Sequence, residues 1–146
     1  MKKIIIFDFN RTLYDPETHC LIIGARFVLR TLLRRGFLLY LVSHAEQSRK
    51  ELIKNLKIKQ YFSHIVVTKE KSKKDFQEII GRNAVNRNLS FVVGDRVRKE
   101  IRIGNLLGMQ TVWVRTGKFA YENPRKKIEQ PTYTVHTLRD VLSVIF

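Results

Sequence analysis

The stretch Ile4-Ile5-Ile6-Phe7-Asp8-Phe9-Asn10 decides the fold. Consecutive apolar residues with no polar alternation suit a strand covered on both faces, the mark of a parallel sheet. Asp8 stands where that run ends. Runs of the same kind recur at Phe37-Leu38-Leu39-Tyr40-Leu41-Val42, introduced by Gly36, and at Ile65-Val66-Val67, Phe91-Val92-Val93 and Thr111-Val112-Trp113-Val114. Tyr133-Thr134-Val135 is a weaker sixth.

Helical patterns separate these runs. Val28, Leu29, Leu32 and Leu33 share one face while Arg26, Arg30 and Arg34 line another. Leu52, Ile53 and Leu56 mark a second helix, expected to begin near Ser43. Phe76, Ile79 and Ile80 mark a third, with Ser72 as N-cap and Asp75 three residues on as a capping box. Val97, Ile101 and Leu106 mark a fourth, ended by Gly108, and Leu138 to Ile145 reads as the last. Strand-helix alternation implies parallel strands joined by right-handed crossovers. The expected fold is α/β: a doubly wound three-layer sandwich with a mainly parallel sheet, one domain over residues 1–146.

In such sheets the functional groups gather past the carboxyl ends of the strands. Those positions hold Asp8 and Asn10, Ser43, Thr68 to Lys71, Gly94 and Asp95, and Arg115 to Lys118. Each has an ordinary reading alone: Asp8 as a turn residue, Ser43 as the cap of the helix it opens, Gly94-Asp95 as a turn, a lysine as a solvated charge. Together they make a different set. Two carboxylates on adjacent strand ends suit a hard cation such as Mg²⁺. A lysine beside them offsets the charge of carboxylate and phosphate, and a hydroxyl can donate to a phosphate oxygen. Such a group can stabilise a phosphoryl group in transfer and place a carboxylate nucleophile behind it.

At this point a resemblance is plain. IIIFDFNRTL, Ile4 to Leu13, resembles the first motif of the haloacid dehalogenase (HAD) superfamily, an apolar strand followed by D-x-D-x-T. Ser43, closing LVS, resembles the second motif, and Lys71 in KEKSKKDF the third. FVVGDRVRKEI resembles the fourth, a strand followed by G-D-x-x-x-x-D/E, with Asp95 and Glu100 in its acidic positions. GNLLGMQTVWVRTGK is similar to the usual continuation. The resemblance spans nearly the whole chain, in order. It implies Asp8 as nucleophile, forming an aspartyl-phosphate. It implies Mg²⁺ held by Asp8, the Asn10 backbone carbonyl and Asp95, with Glu100 a ligand or a carboxylate beside the ligands. Ser43 and Lys71 would hold phosphate oxygens, Lys71 also restraining Asp8. Lys69 and Lys73 are rivals for that role; Lys71 is preferred because it directly precedes the cap Ser72. Thr12 would fix the loop.

The sequence departs from the pattern at Asn10. Members with phosphatase activity usually carry Asp there as general acid/base, a contribution typically worth about 10²–10⁴-fold in rate. An amide cannot supply it, so turnover is expected to be slow or confined to leaving groups that need little protonation, such as acyl or aryl phosphates. Arg11 follows in place of a small residue and offers a further phosphate contact. Haloacid dehalogenases also lack the second Asp but carry a helical cap. Here Leu21 to Arg35 fills the interval from Asp8 to Ser43, and one helix and one strand fill that from Ser43 to Lys71. No cap domain is expected, and the site should be open.

Composition frames the partners. The net charge of +15 on 146 residues attracts phosphate-rich molecules. Capless members act on large substrates or take a neighbouring subunit as lid, which admits a homo-oligomer. Arg11, Lys69, Lys71, Arg96, Arg115 and Lys118 lie near the expected mouth, with Tyr14, Phe119 and Tyr121, a mixture that suits single-stranded nucleic acid. The one cysteine, Cys20, permits no intrachain disulfide. Asp8 ends the opening apolar run too early for a signal peptide, and no run has the ~20 apolar residues of a membrane span, so a cytoplasmic chain with no membrane partner is expected. Two other readings compete: a degenerate HAD domain that binds phosphate or nucleic acid without turnover, and a receiver domain, which would place its acceptor Asp after the third strand, where this chain has Thr68-Lys69.

Overall fold

The computed structural model describes residues 1–146. Its strands are β1 (Ile4–Phe7), β2 (Tyr14–Asp15), β3 (Cys20–Leu21), β4 (Leu38–His44), β5 (His64–Thr68), β6 (Phe91–Gly94), β7 (Gln110–Val114) and β8 (Tyr133–Val135). Its helices are α1 (Ala25–Arg34), α2 (Arg49–Asn55), α3 (Lys73–Gly81), α4 (Arg102–Leu106) and α5 (Val141–Ile145). Six strands form one sheet in the order β5-β4-β1-β6-β7-β8, every neighbouring pair parallel. From β1 the chain builds outward through β4 to β5, then returns to the other side through β6, β7 and β8. The order therefore reverses beside β1, and the crevice of a doubly wound sheet opens at such a reversal.

Alternate residues of β1 serve opposite faces. Ile5 and Phe7 join Leu39, Leu41, Val93, Val112 and Val114 under the buried face of α1 (Ala25, Val28, Leu29, Leu32), with Ile53 of α2 and Val141 of α5. Ile4 and Ile6 join Tyr40, Val42 and Val92 under Phe76, Ile79 and Ile80 of α3 and Ile103 of α4. Burying a side chain of this size is worth roughly 1.5–3 kcal/mol. That outweighs the few tenths per residue that β-branched positions cost a helix. The result is the three-layer sandwich read from the sequence, with no helix long and apolar enough to cross a membrane.

Four details differ from the sequence reading. The second helix starts at Arg49, not near Ser43, because β4 runs on through His44 and Ser43 pairs with Val67 of β5. The last helix begins at Val141 rather than Leu138, which is buried in the core below it. Tyr14 is not at a site mouth: it is buried and stacks on Phe9 with centroids 5.0 Å apart. The short hairpin β2–β3 has no counterpart in the reading, since strands of two residues leave no periodicity.

Candidate active site

The carboxyl ends of β1, β4, β5 and β6 converge on a polar pocket of about 200 Å³. Asp8, Asn10, Arg11, Ser43, Lys71, Asp95 and Glu100 all line it, as do Lys69, Arg96 and Phe119. Residues scattered over more than ninety positions of sequence thus meet at one place.

Asp8 follows β1 directly and is 5% exposed. Its backbone N–H donates to Val93 O at 3.0 Å, so the sheet ladder extends one residue past the strand and fixes the carboxylate beside β6. Fully buried Thr12 donates its hydroxyl to Asp8 Oδ2 at 3.4 Å, closing the loop as expected. Ser43 ends β4's buried run, its Oγ donating to His44 O at 3.3 Å.

Asp95 follows β6, and its backbone carbonyl accepts the indole N–H of Trp113 at 2.9 Å, which anchors the loop to β7. Next comes a π-helical turn, Val97–Ile101, before α4. One extra residue in such a turn re-aims a side chain, and these turns recur at functional sites. Here it drives Glu100 inward against Gly94, where a Cβ would stand 2.8 Å from Glu100 Cβ. Only glycine permits that approach.

Lys71 sits between two of the carboxylates. Its Nζ donates to Asp8 Oδ1 and, at 2.8 Å, to Glu100 Oε1, with the lysine side chain 8% exposed. The capping box read from the sequence is present: the Ser72 N–H donates to Asp75 Oδ2 at 2.9 Å. It starts α3 at the residue after Ser72 and leaves Lys71 turned to the sheet. Lys69 lines the rim, exposed, and Lys73 lies on α3, exposed and outside the pocket.

Charge is concentrated at the pocket floor. Ligand oxygens of Asp8, Asp95 and Glu100 lie within 4.8 Å of one another, all three side chains buried. Asp95 Oδ2 and Glu100 Oε2 are buried with no hydrogen-bond partner. Burial, and then the neighbouring Asp8 charge, push the Asp95 carboxyl up to about 9, and burial followed by Asp8 raises Glu100 as well. Burial would lower Lys71, but the charges of Asp8 and Glu100 outweigh it and hold the ammonium above the ordinary lysine range. Three crowded carboxylates, two of them with an orphaned oxygen, and one ammonium are a hard-oxygen donor set that a divalent cation would complete.

The sequence reading did not single out Arg49. It is 4% exposed, stacks over Phe9 at 4.6 Å, pairs with Glu46 at 2.9 Å and donates Nη1 to Asn10 Oδ1 at 3.2 Å. No local signal marks it: an arginine within Glu-Gln-Ser-Arg-Lys reads as solvated. Arg115, expected near the mouth, instead caps Trp113 at 5.1 Å and donates to Ala120 O at 2.7 Å. Tyr121 is exposed and lines no part of the pocket.

An expected result follows from the crowding. Folding raises the Asp95 pKa, so folding takes up a proton there. Without a cation, this group's contribution weakens as pH rises from about 4, its ordinary value, towards about 9. Asp95→Asn is expected to raise the unfolding midpoint of metal-free protein at pH 8 by roughly 3–5 °C. The same variant should lose most of the stabilisation that added Mg²⁺ gives the parent. Melting curves with EDTA and with Mg²⁺ measure both; a lower midpoint in EDTA would show that the carboxylates do not strain one another.

Comparison with known proteins agrees with this picture. Residues 71–141 match the HAD-hydrolase-like family model. A glyceraldehyde 3-phosphate phosphatase of Methanopyrus kandleri is 32% identical over 65% of this chain and 43% of its own. One of Pyrococcus furiosus is 27% identical over 84% of this chain and 53% of its own. The chain thus spans about half the length of these relatives. Among solved structures, a D,D-heptose 1,7-bisphosphate phosphatase from B. bronchiseptica, complexed with magnesium and phosphate, superposes with TM-score 0.80 at 13% identity, covering 98% of this chain and 97% of that one. A HAD phosphatase from Thermococcus onnurineus gives 0.78 at 15%, covering 99% and 98%. At these identities the structural likeness is one of fold. With the family match over residues 71–141 and the aligned relatives added to it, the comparisons support membership of the HAD superfamily.

Proposed function

We propose that the chain is a Mg²⁺-dependent phosphohydrolase or phosphotransferase that works through an aspartyl-phosphate on Asp8. The observation that carries the reading is the pocket floor: Asp8, Asp95 and Glu100 buried together, with Lys71 bonded to the first and last. Asp8, Asp95, Glu100 and the Asn10 backbone carbonyl would hold Mg²⁺, which when bound supplies charge to the transferring phosphoryl oxygens. An Asp8 oxygen attacks phosphorus, the bond from phosphorus to the leaving oxygen breaks, and that oxygen departs with its electron pair. Water, or an acceptor hydroxyl, then attacks phosphorus, and the Asp8–phosphate bond breaks to restore the carboxylate. Lys71 and Ser43 receive phosphoryl oxygens, and Lys71 keeps Asp8 aimed. The relatives' names, glyceraldehyde 3-phosphate phosphatase, support a small phosphorylated substrate.

Asn10 sets the rate. Its Oδ1 accepts from Arg49, so its amide N–H groups, which carry no transferable proton, are left for the site. Acyl and aryl phosphates should therefore turn over faster than alkyl phosphates. Asn10→Asp is expected to raise kcat/KM on an alkyl phosphate by about 10²-fold, the low end of what an acid/base group supplies. The reason for the low end is Arg49, whose guanidinium would hold the new carboxylate charged and poor as an acid. An acyl phosphate should gain little.

The deciding experiment is hydrolysis of an aryl and an acyl phosphate with and without Mg²⁺, for the parent chain and Asp8→Asn. Metal-dependent turnover confined to the parent supports the proposal. A parent no faster than Asp8→Asn would leave the domain as a phosphate-binding module, the reading that Asn10 and the charge of +15 otherwise favour.

A further inference from the structure

The cations around the pocket differ in what holds them. Lys71 is bound by Asp8 and Glu100, Arg96 by Glu122 at 3.0 Å, and Arg49 by Glu46. Arg11 belongs to none of the chain's ion pairs, and its Nε is buried without a hydrogen-bond partner. An unpaired, partly buried guanidinium is costly unless something anionic meets it.

Arg11 is nonetheless held in place. Its backbone sits in the left-handed region, φ 61°, where its N–H donates to Tyr14 O at 2.7 Å. A β-carbon built on Gly117 would lie 3.9 Å from Arg11 Cδ, so the stem passes close to that backbone. The guanidinium lies 5.7 Å from the centre of the Phe119 ring, which also carries Arg96 at 4.1 Å. Phe119 is the one apolar residue among the fourteen that line the pocket. A wall of this kind offers a hydrocarbon tail almost nothing, and a small pocket leaves room for a short one. What it offers is a fixed two-pronged donor, the geometry that recognises carboxylate and phosphate.

Resting on the phosphohydrolase reading above, we propose that the substrate is a short phosphomonoester with a second anionic group, a carboxylate or a second phosphate. Arg11 receives that group while the reacting phosphoryl lies at Asp8. Lys71 and Ser43 serve the phosphoryl itself, and Phe119 keeps the Arg11 fork aimed into the pocket. Arg11 is thus a specificity residue, and the preference it sets is for charge at the far end of the substrate.

The test compares three esters built on the same three-carbon chain: propyl phosphate, 3-(phosphonooxy)propanoate and propane-1,3-diyl bisphosphate. In the parent, with Mg²⁺, kcat/KM for one of the two charged esters should exceed that for propyl phosphate by about 10–100-fold, the range of a charge-assisted contact. Which of the two wins identifies the group. Arg11→Ala should bring the ratio close to one, and Arg11→Lys should keep part of it; unfolding midpoints check that both variants fold. Equal rates on all three esters in the parent would overturn the proposal. So would an Arg11→Ala loss equal across the three, because Arg11 would then serve the reacting phosphoryl. Should neither these alkyl esters nor the aryl and acyl phosphates turn over, the phosphohydrolase reading fails by itself. Calorimetric binding of the three esters to Asp8→Asn, with and without Arg11→Ala, still decides the proposal by the same ratio.

Discussion

Asp8→Asn is expected to lower metal-dependent kcat by about 10⁴–10⁶-fold, the scale seen when an enzyme loses its nucleophile. The amide retains the shape of the carboxylate. Its remaining oxygen can still accept from Lys71, its NH2 can donate to the Thr12 hydroxyl in the reverse sense, and the backbone bond to Val93 is untouched, so the loop should keep its place. What disappears is the proposed oxygen nucleophile and one negative charge from a cluster whose ligand oxygens lie within 4.8 Å. Activity and stability should therefore move in opposite directions: turnover collapses while the metal-free unfolding midpoint stays level or rises. Transfer of radiolabelled phosphate to the protein gives an independent readout. The parent should take up label that hydroxylamine releases, as an acyl phosphate does, and Asp8→Asn should take up none. Label retained by the variant would place the nucleophile elsewhere and remove the basis of the proposed reaction.

The central sheet was legible because its strands are covered on both sides. Ile4 to Phe7 and Phe91 to Val93 had to be apolar at every position. The strand ends then located Asp8, Ser43 and Asp95 without side-chain geometry. Ser43 shows where such reasoning stops. A serine after an apolar run reads equally as a strand end or a helix cap, and pairing with Val67 of a neighbouring strand decided it. Arg49 shows a second limit. Its burial is created by Phe9 and Asn10, some forty positions away, and local sequence carries no trace of that. Glu100 shows a third. Its spacing from Asp95 was readable, but the π-helical turn and the bare Gly94 backbone that let it reach the floor depend on how β6 and α4 meet. Local patterning thus positioned the strand ends, and tertiary packing determined what each side chain can touch there.

Lys71→Met should have the largest effect on the folded state. The lysine side chain is 8% exposed and its ammonium is the only cation bonded to the buried carboxylates of Asp8 and Glu100. Removing one partner of a buried ion pair typically costs about 3–5 kcal/mol, because the charge left behind has neither water nor counter-ion. Against a total stability of about 5–15 kcal/mol, that is a large share. Methionine fills nearly the same volume, so packing should contribute little to the loss. Held as proposed, Mg²⁺ would bring positive charge to the same three carboxylates, and its addition should restore much of the unfolding midpoint. It should not restore turnover, which is expected to stay at least about 10³-fold down, since only the neutral donors Thr12 and Ser43 remain and no charged donor bridges Asp8 and a phosphoryl oxygen. Lys71→Arg separates charge from shape. It should hold the midpoint far better than methionine, yet recover little rate, because a planar fork cannot take the place of a compact ammonium between Asp8 and Glu100. Melting curves in EDTA and in Mg²⁺, set beside kcat for the same samples, give all five quantities. A Lys71→Met midpoint equal to the parent's in EDTA would mean that the cluster's charge is balanced by another group. Asp95→Asn moves the same balance in the opposite direction: neutralising one carboxylate relieves the floor, whereas deleting the lone ammonium loads it. If both variants shifted the metal-free midpoint the same way, electrostatic crowding could not be what governs the stability of this site.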